Sequence, residues 1–107
     1  MTCACQSRKD DFGKRPRTPC ADCGRKHLAT AAALAREFGY EYVNAQFISG
    51  ELVLSAWHFC KLGDAGRELS GRLREIRHKV AGGEEVGAEV WEDLILAARD
   101  VGGKRNG

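Results

Sequence analysis

The stretch EYVNAQFISGELVLSAWHFCKL, Glu41 to Leu62, decides the fold class. Its apolar positions Val43, Phe47, Ile48, Leu52, Val53, Leu54, Ala56, Trp57, Phe59 and Leu62 cover most of a helical wheel. Its β-branched residues and Gly50 leave a strand as the competing reading of QFISGELVL. The polar residues choose between the two, because Asn44, Glu51, Ser55 and His58 fall on one narrow stripe at helical spacing. The segment is therefore read as a helix that is apolar on nearly every side. Such a helix sits at the centre of a bundle or meets another copy of the chain, and its polar stripe is expected to face solvent.

The neighbouring segments carry the same period. Leu28, Ala31, Ala32, Leu34, Ala35 and Phe38 predict a helix over about Asp22 to Phe38, stopped by Gly39. Leu69, Leu73, Ile76 and Val80 predict a third helix, with Asp64 as its cap and Glu68–Arg72 and Glu75–Lys79 as surface ion pairs. After the loop AGGEEVG, a fourth helix is predicted over about Ala88 to Val101, burying Val90, Trp91, Leu94, Ala97, Ala98 and Val101. The expected fold is all-α: a small four-helix domain over residues 20–101. It is preceded by an irregular, metal-pinned arm over 1–19 and followed by a flexible tail over 102–107.

Composition narrows the function classes. A chain of 107 residues is one domain with a modest core, which gains from a cross-link or a metal. With 17 basic and 15 acidic side chains the net charge is +2, so any basic footprint for nucleic acid must be local. No apolar run reaches the roughly 18 residues of a membrane span. The opening MTCACQSRKDDFGKR lacks the apolar core of a secretory signal, which predicts a cytoplasmic protein. In that compartment five cysteines, an odd number, read as metal ligands plus a spare thiol and not as a disulfide framework.

The candidate ligands are Cys3, Cys5, Cys20, Cys23 and His27, in the pattern C-x-C-x14-C-x2-C-x3-H. Zinc takes four sulfur or nitrogen donors in a tetrahedron, and a Cys-x-x-Cys chelates it through a tight turn. Cys20 and Cys23 open a helix, where backbone N–H groups and the dipole stabilise thiolates beside Arg25 and Lys26. A structural zinc tying the arm to this helix is the expectation. Either Cys3 and Cys5 both bind, or one yields to His27. Iron–sulfur binding by the same thiols is the metal alternative, although the spacing matches neither common ferredoxin pattern. A thiol oxidoreductase using Cys20 and Cys23 is the enzymatic alternative, against which the absence of a preceding strand counts.

Two further sets of residues invite a ligand. Glu51, Ser55 and His58 stand at i, i+4 and i+7, but a nucleophile sits on a sharp turn and not mid-helix, so no catalytic residue is expected. Facing a cleft, Glu51 and His58 would instead bind a small polar ligand. Arg67, Arg74 and Arg77 on helix three, with Arg25 and Lys26 beside the cysteines, suit phosphates through bidentate hydrogen bonds. The expected ligand is a nucleotide, such as a sequestered signalling nucleotide, or a nucleic acid. An interaction or inhibitor module is the other alternative, with helix two presenting Phe47, Leu54 and Trp57 to a partner or a second copy.

The helix start CADCGRKHL, with Gly39 and Tyr40 beyond it, resembles small uncharacterised phage and bacterial proteins carrying C-x-x-C-x-x-K-H-L. The cysteine arrangement also resembles the knuckle of treble-clef zinc fingers, with Cys-x-Cys where that family has Cys-x-x-Cys. These resemblances imply a phage or prokaryotic context and a zinc-stabilised front end, and they make no residue catalytic.

Overall fold

A computed structural model describes residues 19–101. They form four helices: α1 (Ala21–Phe38), α2 (Tyr42–Phe59), α3 (Gly63–Ala81) and α4 (Ala88–Asp100). No strand occurs among the described residues, so QFISGELVL is helical and the fold is all-α. The arm of the sequence reading, with Cys3 and Cys5, and the tail lie outside the described residues, apart from Pro19 at the arm's end.

Short links fold consecutive helices back on one another. The start of α2 hydrogen-bonds the end of α1 through Asn44, while the end of α2 bonds the start of α1 through His58. Helices α1, α2 and α3 thus form an antiparallel sheaf, and α4 packs against α1 and α3. The core holds Leu28, Ile48, Leu52, Phe59, Leu69, Leu73, Val80 and Leu94, each at most 2 % exposed. Burying side chains of this size is worth about 1.5–3 kcal/mol apiece and supplies most of the drive to fold.

Two glycines set how closely the helices approach. A Cβ on Gly24 would lie 2.8 Å from the Phe59 ring, and one on Gly66 would collide with the Phe59 carbonyl. Both glycines are buried within helices, where glycine costs about 1 kcal/mol against alanine. The close seat they give Phe59 offsets that cost.

Several sequence expectations are corrected at this level. Asp64 is not the cap of α3; the cap position is Leu62, and Asp64 lies in the first turn, 3.8 Å from Arg67. Neither the Glu68–Arg72 nor the Glu75–Lys79 pair is closed within 4 Å, in keeping with the entropy cost of fixing two long exposed side chains. Phe38, expected inward with Ala31 and Leu34, is 63 % exposed. The largest correction concerns α2, whose polar stripe does not face solvent. Ser55 and His58 are fully buried against α1, whereas Tyr42, Val43, Phe47, Val53 and Leu54 point outward.

Candidate functional site

The inward stripe of α2 is a hydrogen-bonded seam along α1. Asn44 donates its amide to the carbonyls of Leu34 and Gly39, at 3.1 and 2.6 Å, and so closes the C-terminal end of α1. Ser55 donates to the Gly24 carbonyl at 2.7 Å. His58 accepts the Cys20 backbone N–H at Nδ1, 3.0 Å away, which satisfies a donor at the exposed start of α1. Glu51 Oε1 lies 2.6 Å from His27 Nδ1, a separation that places the proton on that nitrogen when the carboxylate is ionised. Each polar group of the stripe therefore has a partner on α1, which is the condition for burying it.

The two histidines stack with ring centroids 5.8 Å apart, and the Trp57 ring meets His58 edge-on at 5.0 Å. Burial, and secondarily the proximity of His27, lowers the His58 pKa from 6.5 to about 4. At neutral pH His58 is an uncharged acceptor, with its ring proton on Nε2. The Glu51–Ser55–His58 series thus ties helices together, and each of its members is already engaged.

The cysteine end gathers some of the predicted metal donors without closing a site. Cys23 is buried, Cys20 and His27 are half-buried, and all three belong to the first two turns of α1 or its cap. Among the described residues no group of three His, Cys, Asp or Glu side chains converges as metal donors. Cys20, Cys23 and His27 do not form such a group, so a four-donor site using any two of them would take its other donors from outside the described residues. The carboxylate on His27 Nδ1 does fit a ligand histidine, since it holds the ring in the tautomer whose Nε2 lone pair is available.

The basic residues separate into two groups. Arg25 donates to the carbonyls of Ala98 and Val101 at 3.2 and 3.1 Å and pairs with Asp22, so its guanidinium closes the C-terminal end of α4. Lys26 is exposed on α1, and Arg67 is exposed near the start of α3 beside Asp64. Arg74 and Arg77 instead border a groove with Val53, Leu54 and Trp57 of α2. The same two arginines line a second, open groove with Gly71, Glu75, His78 and Lys79. An apolar, aromatic wall and a cationic wall therefore share one edge.

A third hollow, of about 440 Å³, lies between α1 and α4 over Ala32, Ala35 and Ala88. Above it a polar chain runs from Trp91 Nε1 to the Tyr40 hydroxyl, at 2.9 Å, and on to the Val86 carbonyl. Sequence reading missed this chain, as it missed Gly24 and Gly66. Glycines inside predicted helices were the available sign of close helix contact.

No protein-family description, curated protein or solved structure matches this chain. What the fold and its surfaces define is a small all-α domain with a polar seam inside and an apolar and basic face outside.

Proposed function

We propose that this is a non-enzymatic binding protein for a phosphate-bearing ligand, a nucleotide or a short single-stranded nucleic acid. The observation that supports the reading is the groove in which Trp57, Val53 and Leu54 stand beside Arg74 and Arg77. A base stacks on the indole, worth about 1–3 kcal/mol per base, while the guanidinium forks take the phosphate oxygens. The adjoining groove, with His78 and Lys79, extends the cationic track for a second phosphate. Arg67, Arg72, Arg74, Arg77 and Lys79 against Asp64, Glu68 and Glu75 leave α3 locally positive on a nearly neutral chain. Because Arg25, Glu51 and His58 are engaged within the fold, the reading rests on Arg74 and Arg77, with Arg67 and Lys26 as outlying charges.

The test is a titration with oligothymidylate at several salt concentrations. For single strands the logarithm of affinity should fall with the logarithm of salt by about 0.7 per phosphate neutralised, and less steeply for Arg74→Ala and Arg77→Ala. No binding to oligothymidylate or to a nucleoside triphosphate at low ionic strength overturns the reading.

Two subsidiary parts belong to the same proposal. A structural zinc held by Cys20 and Cys23 with Cys3 and Cys5, or with His27 in place of one of those two, fastens the front of the chain, and the Glu51–His27 contact supports the set that includes His27. Self-association through α2 is supported by its outward apolar side chains.

A further inference from the structure

The outward face of α2 has an unusual composition. From Tyr42 to Phe59 the helix carries one acidic or basic residue apart from His58, namely Glu51, and that carboxylate is turned inward to His27. On the outside lie Tyr42, Val43, Gln46, Phe47, Gly50, Val53 and Leu54, none of them charged. Phe38, at the end of α1, adds a further exposed ring.

The size of this surface bears on its occupant. At about 150–250 Å² per aromatic side chain, Phe38, Tyr42 and Phe47, which are 63, 78 and 62 % exposed, present about 400 Å². Val43, Val53 and Leu54, at 63, 44 and 37 %, carry the patch to the top of the ~300–600 Å² that is the largest on a typical monomer. The total, about 600 Å², is about three quarters of the ~800 Å² per partner of a stable interface. Charge separates the possible occupants. The face itself carries no charge and meets cations only along its Arg74 and Arg77 edge, so over Tyr42, Val43, Phe47 and Gly50 it matches the equally uncharged surface of a second copy.

Relief points the same way. Val43, Phe47, Gly50 and Leu54 follow steps of four, three and four along one edge, with the glycine between two large side chains. A Cβ at Gly50 would meet nothing within the molecule, so the notch is open to the outside.

We infer that two copies of this chain pack through α2 in an antiparallel crossing whose two-fold axis passes at Gly50. This deepens the self-association named above and rests on it. In that arrangement the helices approach closely at the paired glycines, and each Phe47 lies over the other copy's Val53. The contact is isologous and closes on itself, as two-fold interfaces do. Arg74 and Arg77 lie to one side of it on α3, and because Val53 also lines their groove, pairing covers part of that groove's apolar wall.

Sedimentation equilibrium on the full chain tests the association, and site-directed cross-linking tests the axis. The wild type is expected to have the mass of a dimer. Phe47→Glu and Gly50→Leu are expected to be monomers at concentrations where the wild type is paired, with unchanged helical circular dichroism, since both positions are open in the single molecule. Gly50→Cys is expected to give a disulfide-linked dimer under mild oxidation beyond the wild-type background, because the Cβ atoms at the axis fall within disulfide reach. Gln46→Cys, displaced along the helix, is expected to give none. A wild type that stays monomeric overturns both the self-association and the crossing. A dimer that survives Gly50→Leu, or that cross-links through Gln46→Cys and not through Gly50→Cys, overturns the crossing alone.

Discussion

The two sides of α2 are apolar alike, and they differ in where the polar groups lie. Its inner side sets Asn44, Glu51, Ser55 and His58 against α1 beside the core residues Ile48, Leu52 and Phe59, while its outer side carries Val43, Phe47, Val53 and Leu54. The inner polar groups are tolerated because α1 offers a partner for each, including the carbonyls and N–H groups at its own ends. No such compensation is available to apolar side chains left in water. Burial of a polar group can be balanced within one chain, whereas exposure of a large apolar face calls for something outside it.

Two leucines give the sharpest way to break that contrast. Leu52 is fully buried and Leu54 is 37 % exposed, two residues apart on the same helix. Leu52→Ala is expected to cost about 2–5 kcal/mol by urea unfolding. Leu54→Ala is expected to change monomer stability by about 0.5 kcal/mol or less, its effect falling instead on association. Comparable costs at the two positions would mean that α2 is rotated from the orientation described.

The seam has its own signature in pH. Because the folded pKa of His58 is about 4 against 6.5 for the free side chain, the fold favours the neutral ring. The unfolded chain therefore binds more protons between those values, and stability falls as pH drops from about 6.5 towards 4. This contribution is fully present above 6.5 and reaches about 3 kcal/mol at most. The variant His58→Gln, whose amide oxygen can still accept the Cys20 N–H, should flatten that part of a melting-temperature profile. An unchanged profile would remove His58 from the seam's energetics. A smaller effect is expected at Ser55: Ser55→Ala deletes the bond to Gly24 and leaves a carbonyl short of one partner, for about 1 kcal/mol in thermal unfolding.

The existence of all four helices was legible because Leu28 to Phe38, Leu69 to Val80 and Trp91 to Val101 keep a clear 3.6-residue period. The orientation of α2 was not. With large apolar side chains on both sides, its period has no direction, and a narrow polar stripe is ordinarily the wet one. Only the tertiary partners on α1 reverse that reading, and Gly24 and Leu34 give no sign of them as residue types, since they accept through backbone carbonyls. The basic residues show the same limit. Arg25 and Arg74 look alike in sequence, yet the first is absorbed by the end of α4 and the second borders a groove.

The central proposal is that the groove between α2 and α3 binds the phosphate-bearing ligand. It is tested most directly by following tryptophan fluorescence while oligothymidylate is added at low salt. Trp57 lines the groove and Trp91 is buried on the inner side of α4, so quenching should be lost in Trp57→Phe and weakened in Arg74→Ala. Saturable quenching that disappears with Trp57 and fades as salt rises is the predicted result. Unquenched emission throughout the titration, or quenching that persists in Trp57→Phe, would contradict the account.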